Sequence, residues 1–341
     1  MSPPEASSPI PARVAIMGSG SWGTAFALVV SDAGNHVTLW ARRPELADKI
    51  NFEHCNPDYF PDLTLPDSLR AVSDPREAMR GADFVVLTVP SQALRSNLSH
   101  WQIPENAIVV SLAKGIELGS GLRMSEVVAE AGDIAPDRIV VVTGPNLARE
   151  IAERQPSASV VASASLATAE SFQAVCHTPR FRAYTNTDVV GCELGGATKN
   201  VIALAVGMAM GLGLGANATA SVITRGLAEI SRLGLVLGAD PYTFSGLAGL
   251  GDLVATCSSP LSRNRRFGEE LGKGRTVAEI TASTRQVAEG VKSCASITEL
   301  AAKHHVEMPI VENVAAVIAG ELTPAEMITA LMSRSAKPER Y

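Results

Sequence analysis

The hexapeptide Gly18-Ser19-Gly20-Ser21-Trp22-Gly23 follows a β-branched run at residues 13–18 (RVAIMG). It opens a small-residue helical pattern that continues through Thr24 and Ala25 to residue 33. A strand, a G-x-G-x-x-G turn and a helix, in that order, constrain a chain strongly, because they build the first unit of a dinucleotide-binding sheet. The first glycine makes the turn, and the second lets backbone N–H groups approach a pyrophosphate. The third brings helix and strand close together, and the helix N-terminus adds partial positive charge. Gly18, Gly20, Ser21, Trp22 and Gly23 are therefore the first candidate cofactor contacts.

The segments that follow keep the same alternation. Residues 36–40, 82–89, 107–112, 138–143 and 158–162 read as strands, several of them near-continuous apolar runs, with helical patterns between. That order predicts an α/β fold with a parallel, doubly wound, Rossmann-like sheet. Near Asp188 the character changes, and helical periods dominate at 189–210, 219–237, 263–271, 287–304, 310–319 and 324–332. With 341 residues, more than one core usually organises, two domains are expected. The division is a leader at 1–11, a dinucleotide-binding domain at 12–187, an all-helical domain at 188–334 and a tail at 335–341.

Charge and composition exclude several classes. The 29 Lys and Arg against 35 Asp and Glu give −6, which argues against a nucleic-acid binder needing a large basic surface to displace counterions. An apolar share of 46% with 19% charged residues excludes a disordered or fibrous chain. Cys55, Cys176, Cys192, Cys257 and Cys294 are odd in number and form no C-x-x-C pair, so neither a zinc site nor a disulfide framework is expected. His304 and His305 point to different helix faces, and no metal is expected. The cysteine usage fits a reduced, cytoplasmic compartment. The proline- and serine-rich leader lacks a cationic and an apolar region, so it does not read as a signal peptide. Residues 200–224 are uncharged. Glycines and polar residues interrupt them, which favours a helix buried in a helical domain over a membrane span.

About twenty residues past the glycine loop, an NAD-selective site would carry a carboxylate for the ribose 2′-hydroxyl. The strand instead ends in Arg42-Arg43. A guanidinium can pair with a 2′-phosphate, which points to NADP(H) as the preferred cofactor with NAD(H) possible. Two solvated arginines at a strand end are the alternative.

Several motifs together resemble one family, the prokaryotic-type NAD(P)-dependent glycerol-3-phosphate dehydrogenases. They are 18–24 (GSGSWGT), 111–115 (SLAKG), 144–150 (GPNLARE), 184–200 (YTNTDVVGCELGGATKN), 223–229 (ITRGLAE), 245–257 (SGLAGLGDLVATC), 261–268 (LSRNRRFG) and 287–293 (VAEGVKS). The resemblance runs from about residue 13 to 332. It implies a C-terminal helical domain like that of 6-phosphogluconate dehydrogenase, a homodimer, and reversible reduction of dihydroxyacetone phosphate to sn-glycerol 3-phosphate for phospholipid synthesis.

The residues make chemical sense of that expectation. Hydride delivery to a ketone builds alkoxide charge, so a proton donor must stand beside the carbonyl. Lys199, in GGATKN before an uncharged helix, is the candidate; burial would lower its pKa toward neutrality, and small neighbours would let a nicotinamide come close. The family's general acid/base lysine matches this position. Asp252, read as lying on a Gly-rich loop, could orient Lys199 or bind a substrate hydroxyl. Ser262, Arg263 and Asn264 open a helix and form a natural phosphate seat; an ordinary solvated helix start is the alternative. By resemblance, Lys114, Gly144, Asn146, Asp252, Ser262, Arg263 and Asn264 bind the substrate with Lys199. Lys114, Ala148, Arg263, Val287 and Glu289 meet the cofactor. Asn146 stands where the family usually has Ser, and Ala216 and Thr219 replace a common Asp and a basic residue. A β-hydroxyacid or ketopantoate-type reductase and a non-catalytic NADP(H) sensor remain open as other readings.

Overall fold

The computed structural model describes residues 11–283, 288–336 and 338. Eight strands form one sheet: β1 (Arg13–Met17), β2 (His36–Trp40), β3 (Arg70–Val72), β4 (Phe84–Leu87), β5 (Ile108–Ser111), β6 (Ile139–Thr143), β7 (Ser157–Ala162) and β8 (Phe181–Asn186). Their order is β3-β2-β1-β4-β5-β6-β7-β8. The order reverses between β1 and β4, the switch point where doubly wound sheets open a crevice at their carboxyl edge. Seven helices flank the strands: α1 (Ser21–Asp32), α2 (Pro44–Glu53), α3 (Pro75–Met79), α4 (Leu94–Leu98), α5 (Met124–Gly132), α6 (Ala148–Ala152) and α7 (Leu166–Cys176).

The sheet departs from the all-parallel expectation at one place. β7 runs antiparallel to β6, and β8 then pairs parallel with β7. The 144–156 connection holds only α6, whose five residues rise about 7 Å. A strand of five residues spans about 16 Å, so α6 is too short to carry the chain back for a parallel return. β3 and β8 were not among the expected strands. β3 has three residues, and β8 alternates buried Phe181 and Ala183 with exposed Arg182 and Tyr184, an edge pattern without an apolar run.

Past β8 the chain is helical: α8 (Val189–Gly211), α9 (Ala216–Val236), α10 (Asp252–Ser258), α11 (Arg263–Gly272), α12 (Val277–Ser283), α13 (Glu289–Lys303), α14 (Pro309–Ala319) and α15 (Pro324–Met332). Every residue of α8 from Gly191 to Ala209 is buried. Among the described residues α8 alone is long and apolar enough to cross a membrane, but 89% of its apolar window lies inside the fold. α11 packs against it closely. A Cβ on Gly207 would sit 2.0 Å from the Arg265 carbonyl oxygen, so only glycine admits that approach. Neither α10 nor α12 was expected, and Val287 lies outside the described residues.

Two apolar clusters cover the faces of the sheet, one around Phe26, Phe84 and Phe172 and the other around Trp40 and Trp101. A third surrounds Val201–Met208 of α8. The parts are tied by charge as well. Glu193 of α8, buried, pairs with Arg123 at 2.6 Å and accepts from the Ser125 N–H at 2.7 Å, at the start of α5.

Candidate active site

Lys199 stands on the buried face of α8 with 7% exposure. Its Nζ donates to an Asp252 carboxylate oxygen and to Thr256 Oγ1 at 2.8 Å. The other Asp252 oxygen accepts from Lys114 Nζ at 2.7 Å, and Lys114 also donates to the Gly144 carbonyl at 3.1 Å. Lys114 follows β5 and Gly144 follows β6, so the cluster sits at the carboxyl edge of the sheet. Two ammonium groups around one carboxylate leave a net positive charge in a water-poor setting, where it acts strongly on developing negative charge. Burial pulls Lys199 down to about 8; Lys114 pulls the same way and Asp252 opposes.

One local expectation is corrected here. Asp252 is not on a loop: the Gly-rich segment forms a π-helical turn, Leu247–Gly251, which feeds directly into α10. Thr256 then lies one turn on from Asp252, on the same helix face, which explains why it meets Lys199. It was missed because the D-x-x-x-T spacing has meaning only on a helix. The glycines before Lys199 also do something else. A Cβ on Gly195 would sit 2.4 Å from the Ala248 carbonyl oxygen, and one on Gly196 would sit 2.8 Å from Thr143 Oγ1. They let α8 approach the π-helical turn and β6.

The phosphate-seat candidates separate into two kinds. Ser262, the residue before α11, is 4% exposed and its Oγ is buried without a partner among the described residues. Arg263 is exposed, with no hydrogen bond or ion pair among the described residues. Asn264 is already engaged: it donates to Asn200 Oδ1 at 2.9 Å and accepts from the Gly290 N–H at 2.9 Å. Its amide joins α8, α11 and α13 one residue from Lys199, and it brings Glu289 to the same junction. Asn146 donates to Ser159 Oγ at 3.1 Å, while its Oδ1 is buried and unpartnered.

At the other end of the edge, Gly18 has φ +137° and packs against Thr88, where a Cβ would meet Oγ1 at 2.6 Å. A Cβ on Gly23 would fall 1.9 Å from the Gly18 carbonyl oxygen, whereas one on Gly20 meets nothing within 4 Å. The loop is closed on the protein side and open at Gly20. Among the described residues no side chain caps α1, which leaves N–H groups of its first turn, with Ser21 and Trp22, free for a ligand. That is the cradle a pyrophosphate needs, and the residues fit a dinucleotide. Ala148 begins α6, partly buried beside the core that holds α1. Arg42 is exposed without a partner among the described residues, while Arg43 pairs with Asp58. Among the described residues no three His, Cys, Asp or Glu side chains gather as metal ligands would.

Comparison with known proteins decides the family. The family model for the N-terminus of NAD-dependent glycerol-3-phosphate dehydrogenase matches residues 13–169, and that for the C-terminus matches 188–329. The chain belongs to this family. A glycerol-3-phosphate dehydrogenase [NAD(P)+] of Streptomyces avermitilis is 63% identical over 332 residues, covering 97% of this chain and 99% of the relative. One from Thermobifida fusca is 62% identical, covering 96% and 99%. The crystal structure of the Coxiella burnetii glycerol-3-phosphate dehydrogenase superposes with a TM-score of 0.90 at 38% identity, covering 95% of this chain and 99% of that one. Both halves of the dehydrogenase are thus matched, and the chain is an oxidoreductase of the NAD(P)-dependent glycerol-3-phosphate dehydrogenase family.

Proposed function

We propose that this chain reversibly reduces dihydroxyacetone phosphate to sn-glycerol 3-phosphate, with NADP(H) preferred and NAD(H) accepted. The observation that carries the reading is Lys199, buried, pulled down to about 8 and held by Asp252 and Thr256 beside the start of α11. When bound, the nicotinamide supplies or accepts the hydride. Lys199 then donates a proton to the developing alkoxide oxygen, or removes it in the reverse direction. Asp252 and Thr256 orient the ammonium, and Asp252 also holds Lys114 against the Gly144 carbonyl. Ser262 Oγ and the Arg263 guanidinium hold the substrate phosphate, with N–H groups at the start of α11. Asn146 faces the substrate from the loop after β6, and Glu289 and Val287 complete the cofactor contacts. The substrate lies between the sheet part, 12–187, and the helical part, 188–334.

A cytoplasmic homodimer supplying glycerophosphate for phospholipid synthesis belongs to the same reading. Light scattering tests the dimer. For the reaction, NADPH oxidation is followed with dihydroxyacetone phosphate, unphosphorylated dihydroxyacetone and ketopantoate. Efficient turnover of the phosphorylated ketone alone is expected. Turnover of the hydroxy-acid precursor without dihydroxyacetone phosphate would overturn the assignment.

A further inference from the structure

Asn56 lies in the connection after α2, more than thirty residues from the glycine loop, yet it is 0% exposed. A buried amide side chain in a connection is costly unless all its hydrogen bonds are made. Asn56 makes them with the glycine loop. Its Nδ2 donates to the Ser19 carbonyl at 2.9 Å and to Thr24 Oγ1 at 2.8 Å, while Oδ1 accepts from the Asp58 N–H at 3.2 Å. Thr88, after β4, performs a parallel act: its Oγ1 donates to the Gly18 carbonyl at 2.8 Å. Two successive carbonyls of the loop are therefore held by side chains from other segments, the Ser19 carbonyl by Asn56 with a longer contact of 3.4 Å from Thr24 Oγ1, and the Gly18 carbonyl by Thr88.

Peptide planarity turns this into a statement about donors. In a trans peptide the carbonyl of one residue and the N–H of the next point in opposite directions, and the described chain has no cis bond. Holding the Ser19 carbonyl inward aims the Gly20 N–H outward, and holding the Gly18 carbonyl inward aims the Ser19 N–H outward. Neither N–H has an acceptor among the described residues. Without these ties either peptide could rotate and present its carbonyl, which would repel a pyrophosphate. Gly20 is the residue most free to rotate, because nothing lies within 4 Å of its Cβ position.

We infer that Asn56, with Thr88, is a positioning residue for the dinucleotide: it fixes the Ser19–Gly20 peptide so that the loop offers donors alone to the pyrophosphate. The inference rests on the proposed cofactor use. Its ligand is the part shared by NADPH and NADH, so its signature is indifference to the 2′-phosphate.

The test is equilibrium binding to the full chain, read by the fluorescence of NADPH and of NADH on titration. Asn56→Ala should weaken both by the same factor, about tenfold, the worth of one buried hydrogen bond. Inhibition by 2′-AMP, which carries no pyrophosphate, should not change. Because Asn56 is buried, Thr88→Val provides a second route: it frees the neighbouring peptide, keeps the side-chain shape and should weaken both dinucleotides in the same way. Thermal melting accompanies each titration, and a variant that melts as the wild type does while losing affinity marks positioning. Unchanged dissociation constants in a folded Asn56→Ala or Thr88→Val protein would overturn the inference. So would a loss confined to NADPH. Failure of the wild type to bind either dinucleotide would instead overturn the cofactor reading itself.

Discussion

The two ends of the sheet's carboxyl edge are built by different means. At the glycine loop the groups left free are backbone N–H donors, and side chains from elsewhere hold the neighbouring carbonyls. At the lysine cluster the converging groups are side chains, three of them charged, from the segment after β5, from α8 and from α10. A backbone device can be spelled in large part by a short local motif, because glycine positions set the turn that distant side chains then hold. A side-chain device assembles residues far apart in the chain and depends on burial for its strength. The contrast implies that substitutions at the lysine cluster should change rates, and those at the dinucleotide end should change affinities.

The largest expected effect is at Lys199. Lys199→Ala removes the proton donor and leaves the glycine loop intact. General acid catalysis contributes about 10²–10⁴-fold, so kcat should fall by that factor with NADPH affinity unchanged. The pH profile sharpens the point. Reduction needs the ammonium form, so kcat for reduction should fall as pH rises through about 8, the value to which burial pulls Lys199. Oxidation of glycerol 3-phosphate needs the neutral amine and should rise through the same pH. Lys114→Gln removes the neighbouring cation that also lowers Lys199, so the break should move upward. A rate without a break near 8, or a loss of NADPH binding in Lys199→Ala, would break the separation between the two ends.

Next comes Arg263, exposed at the start of α11 and without a partner among the described residues. The substrate phosphate keeps its charge through the reaction, so Arg263→Ala should mainly raise KM for dihydroxyacetone phosphate, by roughly 10- to 100-fold. Some kcat is lost too, because the phosphate positions the carbonyl. The preference over unphosphorylated dihydroxyacetone should shrink sharply, whereas Lys199→Ala should slow both substrates alike. A preserved preference would move the phosphate seat toward Arg266 or Lys114.

What could be read in advance follows the same division. The glycine loop, the strand–helix alternation and the change of character near Asp188 are local patterns, and they lead to the observed sheet and helices. Lys199, Lys114 and Asp252 were reachable as residues, but their mutual contacts were not, since Lys114 and Asp252 are 138 positions apart. Thr256 depends on a helix that a run of glycines disguises as a loop, and Asn56 carries no motif at all. β7 reads as a strand, yet its direction is decided by the length of α6, a boundary that sequence patterns define poorly. The two arginines after β2 looked alike in sequence. The structure separates them, because among the described residues Arg43 has an acidic partner and Arg42 does not.

That separation yields the two smaller effects, both at the dinucleotide end. Arg42→Asp should weaken NADPH about tenfold relative to NADH, the low end for a charged hydrogen bond because Arg42 stands in solvent. Equal changes in both cofactors' Michaelis constants would remove Arg42 from the 2′-phosphate site. Asp58→Asn tests the opposite sense. Asp58 now neutralises Arg43, so its removal should free a second guanidinium beside the first and raise the NADPH preference over NADH. The pair is solvent-exposed, with 57% and 43% of the two side chains accessible. Exposed pairs are weak and screened, so the gain should stay below about fivefold and fade as salt rises toward 1 M. The backbone of Asp58 also donates to Asn56, but the substitution keeps that N–H, so NADH affinity should hold still. If NADH and NADPH instead weakened by the same factor, Asp58 would be acting through the Asn56 strap on the pyrophosphate, and the two halves of the dinucleotide end would be one device.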